Sequence, residues 1–123
     1  MASLRFDVAP FGIQTMAVEP GFFRTELLVE GASTIWPTLA VEDYAQRTQE
    51  TITAWSGMNG WQGGDPARLA AALVTLSDSG DLPPRFVAGA DAMAAVEANL
   101  KAIQAQIDAH RALSASLAFD ESL

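Results

Sequence analysis

The chain has 123 residues, half of them apolar, and its seven basic and fifteen acidic side chains leave a net charge of −8. That length allows one domain, the apolar share argues against disorder, and the lack of any Lys/Arg cluster argues against a nucleic-acid partner. Without cysteine there is no disulfide, thiolate metal site or cysteine nucleophile.

Ala2 to Ala9 opens with Leu4 and Val8 at helical spacing, and Pro10 and Gly12 end the helix, which reads as the last turns of something longer. Charges and a proline stand where a secretory signal would need an apolar core, and no run approaches ~20 apolar residues, so a cytoplasmic location without a membrane partner is expected. Gln14 to Val18 has the content of a buried parallel strand, cut short by Pro20-Gly21. In open parallel α/β sheets ligands bind at that end of a strand, and a glycine there allows close approach of the backbone. Thr25 then has two readings: a cap for the next helix, or a hydroxyl presented beside a ligand.

Phe22, Phe23, Leu27, Leu28, Ile35, Trp36 and Leu39 form a non-repeating stretch too apolar for a plain solvated loop. Val41-Glu42-Asp43 opens a second helix to about Trp55, with Tyr44, Thr48, Thr51, Ile52 and Trp55 near one face. Gly57, Gly60, Gly63 and Gly64 break it and read as a flexible hinge. Asp65 as N-cap and Pro66 at the first helical position start a third helix, which runs to Leu76 with Leu69, Leu73 and Leu76 as its buried stripe. Arg85 to Gly89 is a short strand. Its crossover connection from the earlier strand argues for parallel pairing. Asp91 caps a final helix over 91–117, on which Met93, Val96, Leu100, Ile103 and Ile107 make a narrow seam at alternating three- and four-residue spacing. His110 and Ser114 interrupt that seam. A helix lying on one face of a sheet is the favoured reading, and a dimerisation helix is the alternative.

Leu4-Arg5-Phe6-Asp7-Val8-Ala9-Pro10-Phe11-Gly12-Ile13 followed by Val18-Glu19-Pro20-Gly21-Phe22-Phe23-Arg24-Thr25 closely resembles the carboxyl-terminal part of the short-chain dehydrogenase/reductase family. Gly57-Met58-Asn59-Gly60, Gly64-Asp65-Pro66-Ala67 and Arg85 to Ala92 continue the likeness in order. The resemblance implies an α/β fold, an incomplete Rossmann-type doubly wound parallel sheet formed by its last two strands with a lid and flanking helices. The whole of 1–123 is then a single truncated domain, with the substrate lid over 26–64. It also implies a parent that moves hydride between NAD or NADP and a small carbonyl or alcohol, lipophilic ones included. Pro20, Gly21, Phe22 and Phe23 match the family's turn, whose backbone fixes the nicotinamide carboxamide. Thr25 matches the residue whose hydroxyl bonds the carboxamide or a phosphate.

The family's catalytic Tyr-x-x-x-Lys is absent: the sole tyrosine, Tyr44, is followed four residues later by Thr48, and the sole lysine is Lys101. Tyr44 reads as lid packing. The Gly-rich pyrophosphate turn is absent too, so this chain alone is expected neither to catalyse nor to bind a dinucleotide tightly, and no catalytic or metal residue is assigned. Trp36, Trp55, Met58 and Trp61 either line a lipophilic pocket or form the lid's own core. Arg24 reads as a solvated flank, and His110 as a surface residue favoured by the helix dipole. The strand's bare edge favours self-association. A rival reading is a non-enzymatic interaction or hydrophobic-ligand module assembling through the final helix.

Overall fold

Pro10 and Gly12 end the first helix as their backbone chemistry requires. The computed structural model describes residues 2–37 and 41–119, so Leu39 lies outside the described residues. Helix α1, Ala2–Val8, passes into a 3-10 turn, Ala9–Phe11, that carries Pro10. Gly12 then closes the turn at φ +71° with its N–H on the Ala9 carbonyl, a conformation that favours glycine. Arg5 staples α1 to the approaches of both strands, its guanidinium donating to the carbonyls of Thr15 (3.0 Å) and Leu82 (3.2 Å).

The sheet has two parallel strands, β1 (Ala17–Pro20) and β2 (Arg85–Ala88), with Ala17 opposite Arg85 and Pro20 opposite Ala88. The first strand therefore starts at Ala17, not at Gln14, and it includes Pro20. Gln14 is diverted by its side chain: Nε2 donates to the Gly80 carbonyl (2.7 Å) and Oε1 accepts from the Leu82 amide (2.8 Å). Pairing begins only where the Ala17 amide reaches the Pro84 carbonyl. Pro20 is tolerated as the last strand residue, where its missing N–H costs no interior rung.

Between the strands the chain forms a 3-10 turn at Glu42–Tyr44, helix α2 (Ala45–Gly57) and helix α3 (Pro66–Asp78). Helix α2 begins later than Val41 because its first turn is wound as 3-10, and only Thr48 and Ile52 of its expected face are half-buried. The start of α3 is as its sequence requires, with the Asp65 carboxylate accepting from the Ala67 amide at 2.9 Å and Pro66 at the first helical position. Leu69, Leu73 and Leu76 are its half-buried stripe.

Helix α4 spans Ala90–Ala115 and is capped by Gly89 at φ +113°, not by Asp91. Asp91 lies inside the first turn, and its carboxylate reaches the Phe22 amide. The expected seat on a sheet face is found only at the start of α4, where Ala92 and Val96 are half-buried; from Glu97 to Phe119 every residue is exposed. No described helix is long and apolar enough to cross a membrane.

Only Ala88 and Gln62 are buried among the described residues. The accessible area is 10168 Å², against roughly 6,300 Å² for a compact chain of this mass. These elements form a partial Rossmann-like α/β layer whose faces the described residues leave largely exposed.

Candidate functional site

The turn after β1 is locked on three sides before any ligand is considered. The Gly21 amide continues the sheet by donating to the Ala88 carbonyl at 2.8 Å, and the Phe22 amide donates to Asp91 Oδ2 at 2.7 Å. On the other side Gly64 pairs with Phe23 as an isolated parallel bridge: its N–H donates to the Phe22 carbonyl and its carbonyl accepts from the Arg24 amide, both at 2.9 Å. The Phe23 amide and carbonyl take no part in these bonds.

This accounting changes the reading of several residues. Gly21 lacks a side chain because a Cβ there would collide with the Asp91 carboxylate; its φ is not positive, and the space is already filled from within the chain. Gly64 is not part of a free hinge. A Cβ on it would meet the Phe23 ring at 2.6 Å and the Phe22 carbonyl oxygen at 2.9 Å. Arg24 is exposed, as expected of a solvated flank, but its Nη2 also donates to the Gln62 carbonyl at 3.2 Å. Thr25 does cap the 3-10 turn Glu26–Leu28, its Oγ1 accepting from the Leu27 amide at 3.3 Å. The hydroxyl proton is left over for another acceptor.

Pro20, Gly21, Phe22, Phe23 and Thr25 all border one cavity of about 360 Å³. Leu27, Leu28, Trp55, Gln62 and Leu69 complete its lining. Helix α2 thus contributes a single aromatic, Trp55, whose ring centroid lies 6.0 Å from that of Phe22 at a tilt of 60°. Trp36 borders a separate hollow with Tyr44 and Thr48, Met58 is half-buried, and Trp61 is exposed. Of the four residues proposed for a lipophilic wall, only Trp55 reaches the cavity. A larger hollow of about 620 Å³ is lined by Phe23, α3 and the β2–α4 junction.

Gln62 and Asp91 belong to the site and are not singled out by sequence reasoning. Gln62 is 5% exposed, and its Oε1 has no partner among the described residues. No periodicity marks it, because it sits in a glycine-rich stretch between helices. Asp91 presents only the look of a helix cap, while its carboxyl is held below the ordinary carboxylate range, first by the Phe22 amide and then by the Ala92 amide.

No family model matches the chain. It is 29% identical over 75 residues to the uncharacterized oxidoreductase YusZ of Bacillus subtilis strain 168, a match covering 61% of this chain and 27% of that protein. Among solved structures it is similar to a short-chain dehydrogenase from Streptomyces avermitilis, with 31% identity and a TM-score of 0.72 over 95% of this chain and 41% of that one. The chain therefore spans well under half the length of either relative. Sequence motif, strand topology and this likeness agree, and together they support a carboxyl-terminal portion of the short-chain dehydrogenase/reductase fold.

Proposed function

We propose that the turn from Pro20 to Thr25 is the nicotinamide end of a dinucleotide site in an NAD- or NADP-dependent oxidoreductase that interconverts a carbonyl and an alcohol. The observation that carries the reading is the locked turn: its neighbours consume the amides of Gly21, Phe22 and Arg24, while the Phe23 backbone and the Thr25 hydroxyl proton stay outside those bonds. A carboxamide needs one donor and one acceptor on rigid backbone, and these groups fit it. A nicotinamide dinucleotide bound there would supply the hydride donor or acceptor. Leu27, Leu28, Trp55 and Leu69 would hold an apolar substrate and exclude water. A cytoplasmic place fits this chemistry and the absence of cysteine.

The Tyr-Lys pair and the pyrophosphate turn of such an enzyme are not in this sequence, so the 123 residues alone are a fragment without turnover. Calorimetry with NAD and NADP tests this directly. The isolated chain should show no binding in the micromolar range, and a chimera carrying the amino-terminal part of the Streptomyces avermitilis dehydrogenase should bind one of them. Micromolar binding to the isolated chain, or a folded chimera that binds neither, would overturn the reading. A second reading, a non-enzymatic module assembling through α4, is favoured by one observation, the exposed seam of that helix.

A further inference from the structure

In the pair Trp61-Gln62 the chain turns the aromatic ring out and the amide in. Trp61 is 85% exposed, whereas Gln62 is 5% exposed and, with Ala88, one of two buried residues among those described. Hydropathy favours the opposite arrangement. The backbone enforces this one: the Trp61 amide closes a turn on the Met58 carbonyl at 3.1 Å, the Gln62 carbonyl accepts from Arg24 at 3.2 Å, and Gly64 is bridged to Phe23. The side chain held there has an oxygen, Oε1, that is shut off from solvent and has no partner among the described residues. Such an acceptor costs stability until a donor arrives, whereas an apolar side chain of that shape would not. The residues that enclose it belong to this chain, so a molecule seated on one of the bare outer faces does not reach it.

We propose that Gln62 selects the substrate: its Oε1 accepts a hydrogen bond from a hydroxyl that an otherwise apolar carbonyl or alcohol substrate carries away from its reacting carbon. On the reading of the cavity beside Pro20 to Thr25 as the substrate's place, on which this rests, Gln62 and Thr25 are the two polar side chains that border the occupant. The last torsion of a glutamine is soft, so a turn of the amide lets Oε1 face that occupant at little cost. The two side chains are complementary. Thr25 Oγ1 already accepts from the Leu27 amide and has a proton to give, so it suits an acceptor, while Gln62 Oε1 suits a donor. An amide does not titrate, so Gln62 is neither general acid nor general base, and the hydroxyl it holds is a second one, distinct from the oxygen that gains or loses a proton in the reaction. A site that bonds a hydroxyl rejects the analogue lacking the donor more sharply than a wholly apolar pocket does.

The probes are 4-hydroxycyclohexanone and 4-methoxycyclohexanone, two ketones of one body that differ in whether the second oxygen carries a proton or a methyl group. Each is titrated into the 123-residue chain while the side-chain amide resonances of Gln62 are followed. The hydroxy ketone should shift those resonances and bind roughly fivefold or more tightly than the methoxy ketone. Gln62→Met should bring the two affinities within about twofold of each other and leave the melting temperature unchanged or higher, because it removes the unpaired oxygen and keeps the length of the side chain. A lower melting temperature in Gln62→Met would show that the amide has a structural partner and overturn the proposal. So would a failure of the hydroxy ketone to bind, equal affinities in the unmodified chain, or a preference that survives Gln62→Met. No dinucleotide enters these titrations. A chimera that binds neither NAD nor NADP would overturn the cofactor reading and leave a hydroxyl preference at Gln62 standing, and failure here would leave the cofactor reading in place.

Discussion

The Asp91 carboxylate accepts the Phe22 amide at 2.7 Å, so a single side chain joins the first turn of α4 to the end of β1. The same carboxylate fills the space beside Gly21. Gly21→Ala should therefore push Asp91 off the Phe22 amide and cost about 1–3 kcal/mol, the range for overpacking a filled site. Combining it with Asp91→Ala should cost less than the two single changes added together, because the clash is gone. Denaturant melts of the four proteins measure this, and strict additivity would disprove the shared contact.

Asp91 also makes the turn sensitive to acid. Its folded pKa is depressed below 3.8 by the Phe22 amide and then the Ala92 amide, so its contribution is present above that ordinary value. It is lost as pH falls through the lower folded value. The Phe22 amide resonance should move with a midpoint below 3.8, and Asp91→Asn should abolish that step. Asp108, held low by Arg111 and then Gln104, provides a second acid titration on α4 that Asp91→Asn leaves in place.

The glycines after α2 should respond in opposite ways to the same change. Gly64→Ala should destabilise the chain by about 1–3 kcal/mol, because its new methyl meets the Phe23 ring and the Phe22 carbonyl. Gly57 has nothing near its Cβ position and no positive φ, so Gly57→Ala at the end of α2 should be neutral or stabilising by up to about 1 kcal/mol. Thermal melts of the two variants decide it.

Thr25→Ala tests two roles of one hydroxyl. Loss of the cap on Leu27 should cost at most about 1 kcal/mol, since the turn it starts is only three residues long. In the chimera the same change should weaken cofactor binding several-fold, with Thr25→Ser sparing both properties. A lower melting temperature with an unchanged dissociation constant would leave Thr25 as a cap alone.

What the sequence shows about this fold is local. Asp65 and Pro66 announce the start of α3 because the cap reaches only to Ala67, and Arg85 to Ala88 reads as a strand from its own side chains. The turn residues themselves are legible from the family motif. The Gln14 clamp onto Gly80 and Leu82, the Asp91 reach to Phe22, the bridge of Gly64 to Phe23 and the Arg24 bond to Gln62 are not legible. Each joins residues far apart in the chain, and neither periodicity nor breaker residues encode such a pairing. These contacts decide where β1 begins and which amides the turn keeps free. The length of α4 is legible, but its lack of cover is not, because a seam looks the same whether or not something lies on it.

Arg24 and Gly64 give the segment between them a fixed pair of feet. The excursion that carries α2 leaves the turn at Arg24 and returns to it through Gln62 and Gly64, so its two ends are fastened to each other and to the strand end. Closing such a loop depends only weakly on its length, each doubling costing about 0.6 kcal/mol. The interval can therefore be lengthened, shortened or rewritten between Leu28 and Gly60 while the anchors hold the turn in place. The covering segment can vary in this way without moving the turn beneath it.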